Sequence, residues 1–187
     1  MDIRTFIALE LSDEVQKELS RVKGVLERKN TNVKWSAPET THITLQFLGN
    51  ISDEKVPCVE KILRSIASRS APFDITLSNI EVFPGWREPK VLWVGIDKGC
   101  GPLAILARSV RAAMLEGGVS EENRPFIPHI TIGRIASDMD KRVLQEGVVN
   151  IDVKSISVPI SRLVFFKSLL TKEGAIHTIL STCDLTG

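Results

Sequence analysis

Apolar positions along the chain recur at two spacings, and the switches between them mark out strands and helices. The run Ile3 to Leu11, IRTFIALEL, is short and apolar-rich, which predicts a buried strand. Ser12 then reads as an N-cap, with Asp13 and Glu14 favouring the positive end of a helix. Val15, Leu19, Val22 and Leu26 follow at helical spacing. NVKWSAPE reads as a short strand and turn, and HITLQFLG as a strand ending at Gly49. Ser52 opens a second helix with Asp53 and Glu54 in its first turn and an apolar face of Val56, Val59, Ile62, Leu63 and Ile66. Pro57 falls in the first turns, where its missing N–H costs least.

FDITLSNIEVF and VLWVGID predict two more strands, separated by the polar loop PGWREPK. Pro102 to Glu116 predicts a third helix, stopped by Gly117-Gly118. The preceding GCGP, Gly99 to Pro102, lacks the lysine of a phosphate-binding loop and reads as a turn before that helix. PHITIGRI predicts a strand and Asp138 to Glu146 a short helix. VKSISVPISRLVFFKS and AIHTILSTCDL read as a closing pair of strands, with a turn around Lys172-Glu173-Gly174. The mixture is that of an α+β or α/β protein, and no linker or low-complexity segment divides it.

Composition narrows the possibilities. The 187 residues suit one domain or two small lobes with a real core. Apolar residues make up 43% and charged residues 25%, as in ordinary globular proteins. A formal net charge of +1 excludes a bulk polyanion binder, so any nucleic-acid contact has to come from a local basic patch, and short or terminal substrates fit better than long tracts. The three cysteines are scattered, with no Cys-x-x-Cys pair, which argues against a disulfide framework or a zinc knuckle and for a reducing compartment. MDIRTFIALEL is too short in its apolar run for a signal peptide, and no run approaches the ~18 residues of a membrane span. The expectation is a soluble cytoplasmic protein with no membrane association.

Histidine carries the informative pattern. The chain has three, and two sit in the same frame: His42-Ile43-Thr44-Leu45 and His129-Ile130-Thr131-Ile132. They are separated by close to half the chain, which suggests two lobes related by a pseudo-two-fold, with one such strand from each. In a strand alternate side chains share a face, so each motif presents an imidazole and a hydroxyl together and turns its aliphatic residues the other way. If the two strands line one cleft, the set fits phosphoester chemistry. One ring removes a proton while the other donates one, and the hydroxyls bond non-bridging phosphate oxygens. A metal site is the alternative for two histidines, but neither motif supplies a third ligand and there is no His-x-His.

At these residues the chain resembles the two-histidine phosphoesterases, and within them the RNA 2′,3′-cyclic phosphodiesterases, also called 2′-5′ RNA ligases (the LigT-like group). VKWSAPETTHITLQFLGNI is similar to the first motif region of that family and RPFIPHITIGRI to its second. FPGWREPKVLWVGI, RTFIALEL and SLLTKEGAIHTIL also fit, so the resemblance runs along nearly the whole chain. It implies one α+β domain over residues 1–187, bilobal, with two pseudo-symmetric lobes of mostly antiparallel sheet and outer helices around a central cleft. It implies His42 and His129 as the acid–base pair and Thr44 and Thr131 as phosphate holders. Water would attack a 2′,3′-cyclic phosphate, the 3′-oxygen would depart, and the same site run in reverse would join RNA ends 2′-5′. The implied substrates are RNA ends or nucleotides carrying a 2′,3′-cyclic phosphate. No metal, no organic cofactor and no obligate protein partner is implied, and the expected state is a monomer. A nucleotide-binding module without turnover, and a phosphodiesterase for a small cyclic phosphate such as that of ADP-ribose, are the alternatives.

The resemblance extends to two more positions. Arg134, five after His129, matches a family arginine that pairs with phosphate or stacks on a base, and Phe47, five after His42, a family aromatic that stacks on the nucleobase. Strict alternation would place both opposite their histidines, so either role needs a twist or a strand end; core packing is the other reading of Phe47. His177 stands where the family often has tyrosine and reads as a strand residue, since Thr178 follows it directly. Trp86, Arg87, Lys90, Lys34 and Arg124 could form a basic rim with a stacking aromatic for a single-stranded end.

Overall fold

The computed structural model describes residues 1–29, 31–120, 125–136, 138, 140–172 and 174–187. Nine strands and four α-helices lie among them: β1 (Asp2–Leu9), α1 (Asp13–Glu27), β2 (Val33–Trp35), β3 (Ile43–Ser52), α2 (Val56–Ala67), β4 (Phe73–Phe83), β5 (Val91–Ile96), α3 (Cys100–Glu116), β6 (His129–Ile135), α4 (Lys141–Val149), β7 (Ser157–Ile160), β8 (Arg162–Leu170) and β9 (Ala175–Asp184). One sheet has the order β3-β1-β8-β9 and the other β2-β6-β5-β4-β7. All pairings in both are antiparallel. The fold is mixed α+β, and each sheet holds one His-x-Thr strand.

Local chemistry explains most boundaries. Ser12 caps α1, its hydroxyl accepting from the Val15 N–H, and the apolar positions Val15, Leu19, Val22 and Leu26 are all buried. α2 is preceded by a 3₁₀ turn, Asp53–Lys55, in which the Ser52 hydroxyl accepts from the Glu54 N–H. α4 starts at Lys141 because Asp140 is the cap, its carboxylate accepting from the Arg142 N–H; the expected helix is displaced by three residues. α3 begins at Cys100, so GCGP is its first turn rather than a turn ahead of it. Gly99 has φ +79, and a Cβ there would collide with the Asp74 carbonyl oxygen, so glycine is required.

Three further expectations are corrected. β1 stops at Leu9 and β3 continues past Gly49 to Ser52. VKSISVPISRLVFFKS is two strands divided at Ser161: β7 pairs with β4 in the second sheet, while β8 lies between β1 and β9 in the first. β7 is an edge strand, which is where its Pro159 is tolerated. The lobes are also not successive halves of the chain. The first sheet takes two strands from the start and two from the end, and β2 crosses into the second sheet before β3 returns to the first. The turn expected around Lys172-Glu173-Gly174 includes Glu173, which lies outside the described residues; its flanks are tied by the Thr171 N–H donating to the Gly174 carbonyl.

The main core runs through both sheets and all four helices. α2 packs on β8 and β9, α3 on β3, and α1 against α4. Ile7, Leu9, Ile43, Leu45 and Phe165 face this core from the first sheet, each burial stabilising by roughly 1.5–3 kcal/mol. A second small cluster, Phe6, Ala8, Val164 and Phe166, is separate from it. These residues alternate with the core-facing ones on β1 and β8, so they occupy the opposite face of the first sheet.

Candidate active site

His42, immediately before β3, rests on that second cluster. Its ring stacks on Phe6 with centroids 4.7 Å apart and planes 27° from parallel, and Phe166 lies 6.0 Å away. The Thr40 backbone carbonyl lies near the His42 ring and favours its protonated form. On the second sheet, His129 opens β6 and its Nδ1 bonds the Ile127 carbonyl at 2.7 Å. Phe83 and Trp93 meet the His129 ring edge-on at 5.1 and 5.8 Å. The two histidines thus have matching supports: a pair of aromatic rings, and a backbone carbonyl two residues upstream. A carbonyl can only accept, so Nδ1 of His129 carries the hydrogen and its other nitrogen is left as the titrating one. β3 and β6 pack against each other, and the charge of His129 reaches His42.

Each motif strand then carries an irregularity at the same place. Ala8 pairs with Thr44 and Ile7 with Gln46, leaving Leu45 as the extra residue of a bulge. Trp93 pairs with Thr131 and Leu92 with Gly133, leaving Ile132 as the extra residue. Both bulges fall three residues after the histidine. A bulge reverses the alternation beyond it. Phe47 therefore comes opposite Phe6, with ring centroids 6.0 Å apart, on the face that bears His42. Arg134 comes opposite Val91, two residues from Trp93 on β5 and so on the face that bears Thr131. Both side chains, which strict alternation sends away from the histidines, are turned towards them. Phe47 is 44% exposed and not packed into the core, and Arg134 is exposed.

The β2–β6 pair adds a cation. Lys34 stands directly opposite Arg134, and Gly133 is needed beside them because a Cβ there would collide with Val33 Cγ1. Lys34 is exposed, and no described acidic residue forms an ion pair with either cation. Like charges directly opposite in a sheet repel, so this edge favours an anion. Thr44 and Thr131 are both half-buried, and no described residue bonds either hydroxyl.

Burial sets the titration of the site. It pushes His42 down to about 4, helped by the charges of His177 and His129 and opposed by the Thr40 carbonyl. It also lowers His129, opposed by the Ile127 carbonyl, and it lowers His177. Burial therefore favours neutral imidazoles, and an anion beside them would raise their proton affinity.

The structure brings together His42, Thr44 and Phe47 on one sheet and His129, Thr131 and Arg134 on the other. It adds His177, which the alternation pattern left as a plain strand residue. The β8–β9 register places His177 opposite Ser168, its ring edge-on to His42 at 5.4 Å. No local motif marks it; the signal was its position in a strand pairing with VFFKS, which a register alone converts into proximity. In the PGWREPK loop the Arg87 and Lys90 side chains are exposed. Trp86 packs against the core, Lys90 is paired with Glu88 at 2.9 Å, and the Arg87 carbonyl accepts from Lys141 at 2.7 Å. Arg124 lies outside the described residues. Among the described residues no cluster of His, Cys, Asp and Glu is arranged to hold a metal, and no helix is long and apolar enough to cross a membrane.

Comparison with known proteins gives a consistent answer. The family model described as LigT like Phosphoesterase matches residues 9–93 and again 94–177, so each copy holds one His-x-Thr motif. A protein of Aquifex aeolicus called RNA 2′,3′-cyclic phosphodiesterase is 32% identical, over 99% of this chain and 98% of that protein. The crystal structure of a Thermus thermophilus protein superposes with a TM-score of 0.83 at 25% identity, covering 99% of both chains. Escherichia coli LigT complexed with 3′-AMP superposes with a TM-score of 0.79 at 23% identity, covering both chains fully.

Proposed function

The chain belongs to the LigT-like phosphoesterases, and on that premise we propose that it is a metal-independent RNA 2′,3′-cyclic phosphodiesterase. It opens the cyclic phosphate on an RNA end or nucleotide and leaves a 2′-phosphomonoester. The observation that carries this reading is the matched support of His42 and His129. Each ring has a backbone carbonyl two residues upstream beside it, and at His129 that carbonyl holds Nδ1 and leaves the other nitrogen to exchange a proton.

In the step itself, a water oxygen attacks phosphorus and gives its proton to the neutral imidazole. The P–O3′ bond breaks, and the departing 3′-oxygen takes a proton from the other ring, which is imidazolium. Each proton transfer contributes typically ~10²–10⁴-fold in rate. The threonine hydroxyls of Thr44 and Thr131 donate to the non-bridging oxygens. The leaving group is internal and the ring is already strained, so this displacement needs no metal to activate it. With the 5′-hydroxyl of a second RNA end in place of water, the same step would form a 2′-5′ linkage, the hydroxyl proton passing to the neutral ring and O3′ taking one from the imidazolium.

Two features support an RNA end as substrate. Phe47 offers an exposed ring next to Phe6, on the sheet face that bears His42, for a base to stack on, an interaction worth about 1–3 kcal/mol. The Lys34–Arg134 pair supplies unneutralised positive charge at the other wall, suited to the phosphodiester of the preceding nucleotide.

Incubation with a nucleoside 2′,3′-cyclic phosphate in excess chelator, followed by phosphorus NMR, tests the reading. The expected product is the 2′-monoester. Binding without product would make the protein a nucleotide-binding module, and a 3′-monoester would mean that the other P–O bond breaks.

A further inference from the structure

A third imidazole stands against His42, and it has an unusual environment. His177 lies edge-on to His42, with centroids 5.4 Å apart and planes at 76°, and edge-on to Phe6 at 4.9 Å. Its Nδ1 is buried with no hydrogen-bond partner among the described residues. An imidazolium needs partners for both N–H groups, so a ring with an orphaned inner nitrogen resists protonation. His42 is flanked by Phe6 from β1, Phe166 from β8 and His177 from β9. The titratable groups whose charges reach it are His177 and His129. His177 itself meets Phe6, Phe166, His42 and its cross-strand partner Ser168, so His42 is the titratable ring in direct contact with it.

We propose that His177 is a positioning residue for His42: it sets the plane of the His42 ring from the edge, and its adjacency makes the two imidazoles titrate as a coupled pair. Two cationic rings at this separation in a half-buried cleft repel strongly. Burial makes the first proton on either ring unfavourable, and once one ring carries it the second is harder still. A phosphate anion removes that restriction, so substrate arrival rather than ambient pH decides when the pair is fully charged. The role in the reaction rests on the phosphodiesterase reading, whereas the coupling itself does not.

With three histidines in the chain, the ring signals of each can be followed by NMR across a pH titration. In the unsubstituted protein His42 and His177 should share two steps. His177→Phe keeps an aromatic edge against His42 but cannot take a proton. There His42 should titrate in one step, with its midpoint higher by on the order of one pH unit, while His129 stays in place. The limb of the kcat/KM pH profile that reports His42 should move with it. His177→Gln, read in the same way, serves if the phenylalanine variant does not fold. An unchanged His42 titration in the folded variant would overturn the assignment. If the unsubstituted protein turned over no cyclic phosphate, the functional reading would fail, and the NMR titration would still decide the coupling.

Discussion

Phe6 and His42 lie face to face, 4.7 Å between ring centroids, and Phe6 is 2% exposed. The phenyl ring is the floor on which the imidazole is oriented, and it belongs to the small cluster separate from the main core. Phe6→Ala should therefore do two things. It should cost about 3–5 kcal/mol of stability, as large-to-small changes at buried aromatics do. It should also lower kcat more than it raises KM, because a tilted His42 binds substrate but transfers protons badly. Phe6→Leu, with most of the volume retained, should recover stability without recovering kcat. Denaturant unfolding and steady-state kinetics on the two variants separate these effects.

Lys34 and Arg134 make the opposite kind of prediction. Their direct opposition across the β2–β6 pair costs stability, so Lys34→Gln should leave stability unchanged or raise it by a few tenths of a kcal/mol. The same change should raise KM for an oligonucleotide ending in a cyclic phosphate more than for the mononucleotide. It should also reduce the slope of log KM against log salt for the oligonucleotide by about 0.7, the contribution of one single-strand phosphate contact. Equal effects on both substrates would place the lysine elsewhere in the reaction.

The depressed titration of His42 sets a pH dependence of stability. The unfolded chain binds the proton near 6.5, whereas the folded site does so at about 4. Between these values the unfolded state holds more protons, so stability rises with pH through the window and is flat above it. Acidification from pH 7 to pH 4 should remove about 2–3 kcal/mol through this group. His42→Gln should flatten that part of the curve, as measured by denaturant unfolding at a series of pH values.

The elements and the chemistry were legible in the sequence to different depths. Ser12, with its acidic neighbours and helical apolar spacing, marked α1 because capping and amphipathicity are local. The His-x-Thr repeat marked both motif strands, because a period of two ties His to Thr without reference to the partner strand. What depended on the partner strand was not legible. The bulges at Leu45 and Ile132 decide where Phe47 and Arg134 point, and they are properties of pairing with β1 and β5. The placement of His177 beside His42 depends on the β8–β9 register and on β8 lying next to β1. The division of residues 157–170 between two sheets is likewise tertiary, with Pro159 as its single local trace.

The account stands on His42 and His129 acting on one phosphoryl group in one step. Hydrolysis of a nucleoside 2′,3′-cyclic phosphate by His42→Ala, by His129→Ala and by the double variant, all in excess chelator, tests this most directly. Each single substitution should lower kcat/KM by about 10²–10⁴-fold, and the double variant should fall well short of the product of the two losses. Full activity in either folded single variant would contradict it.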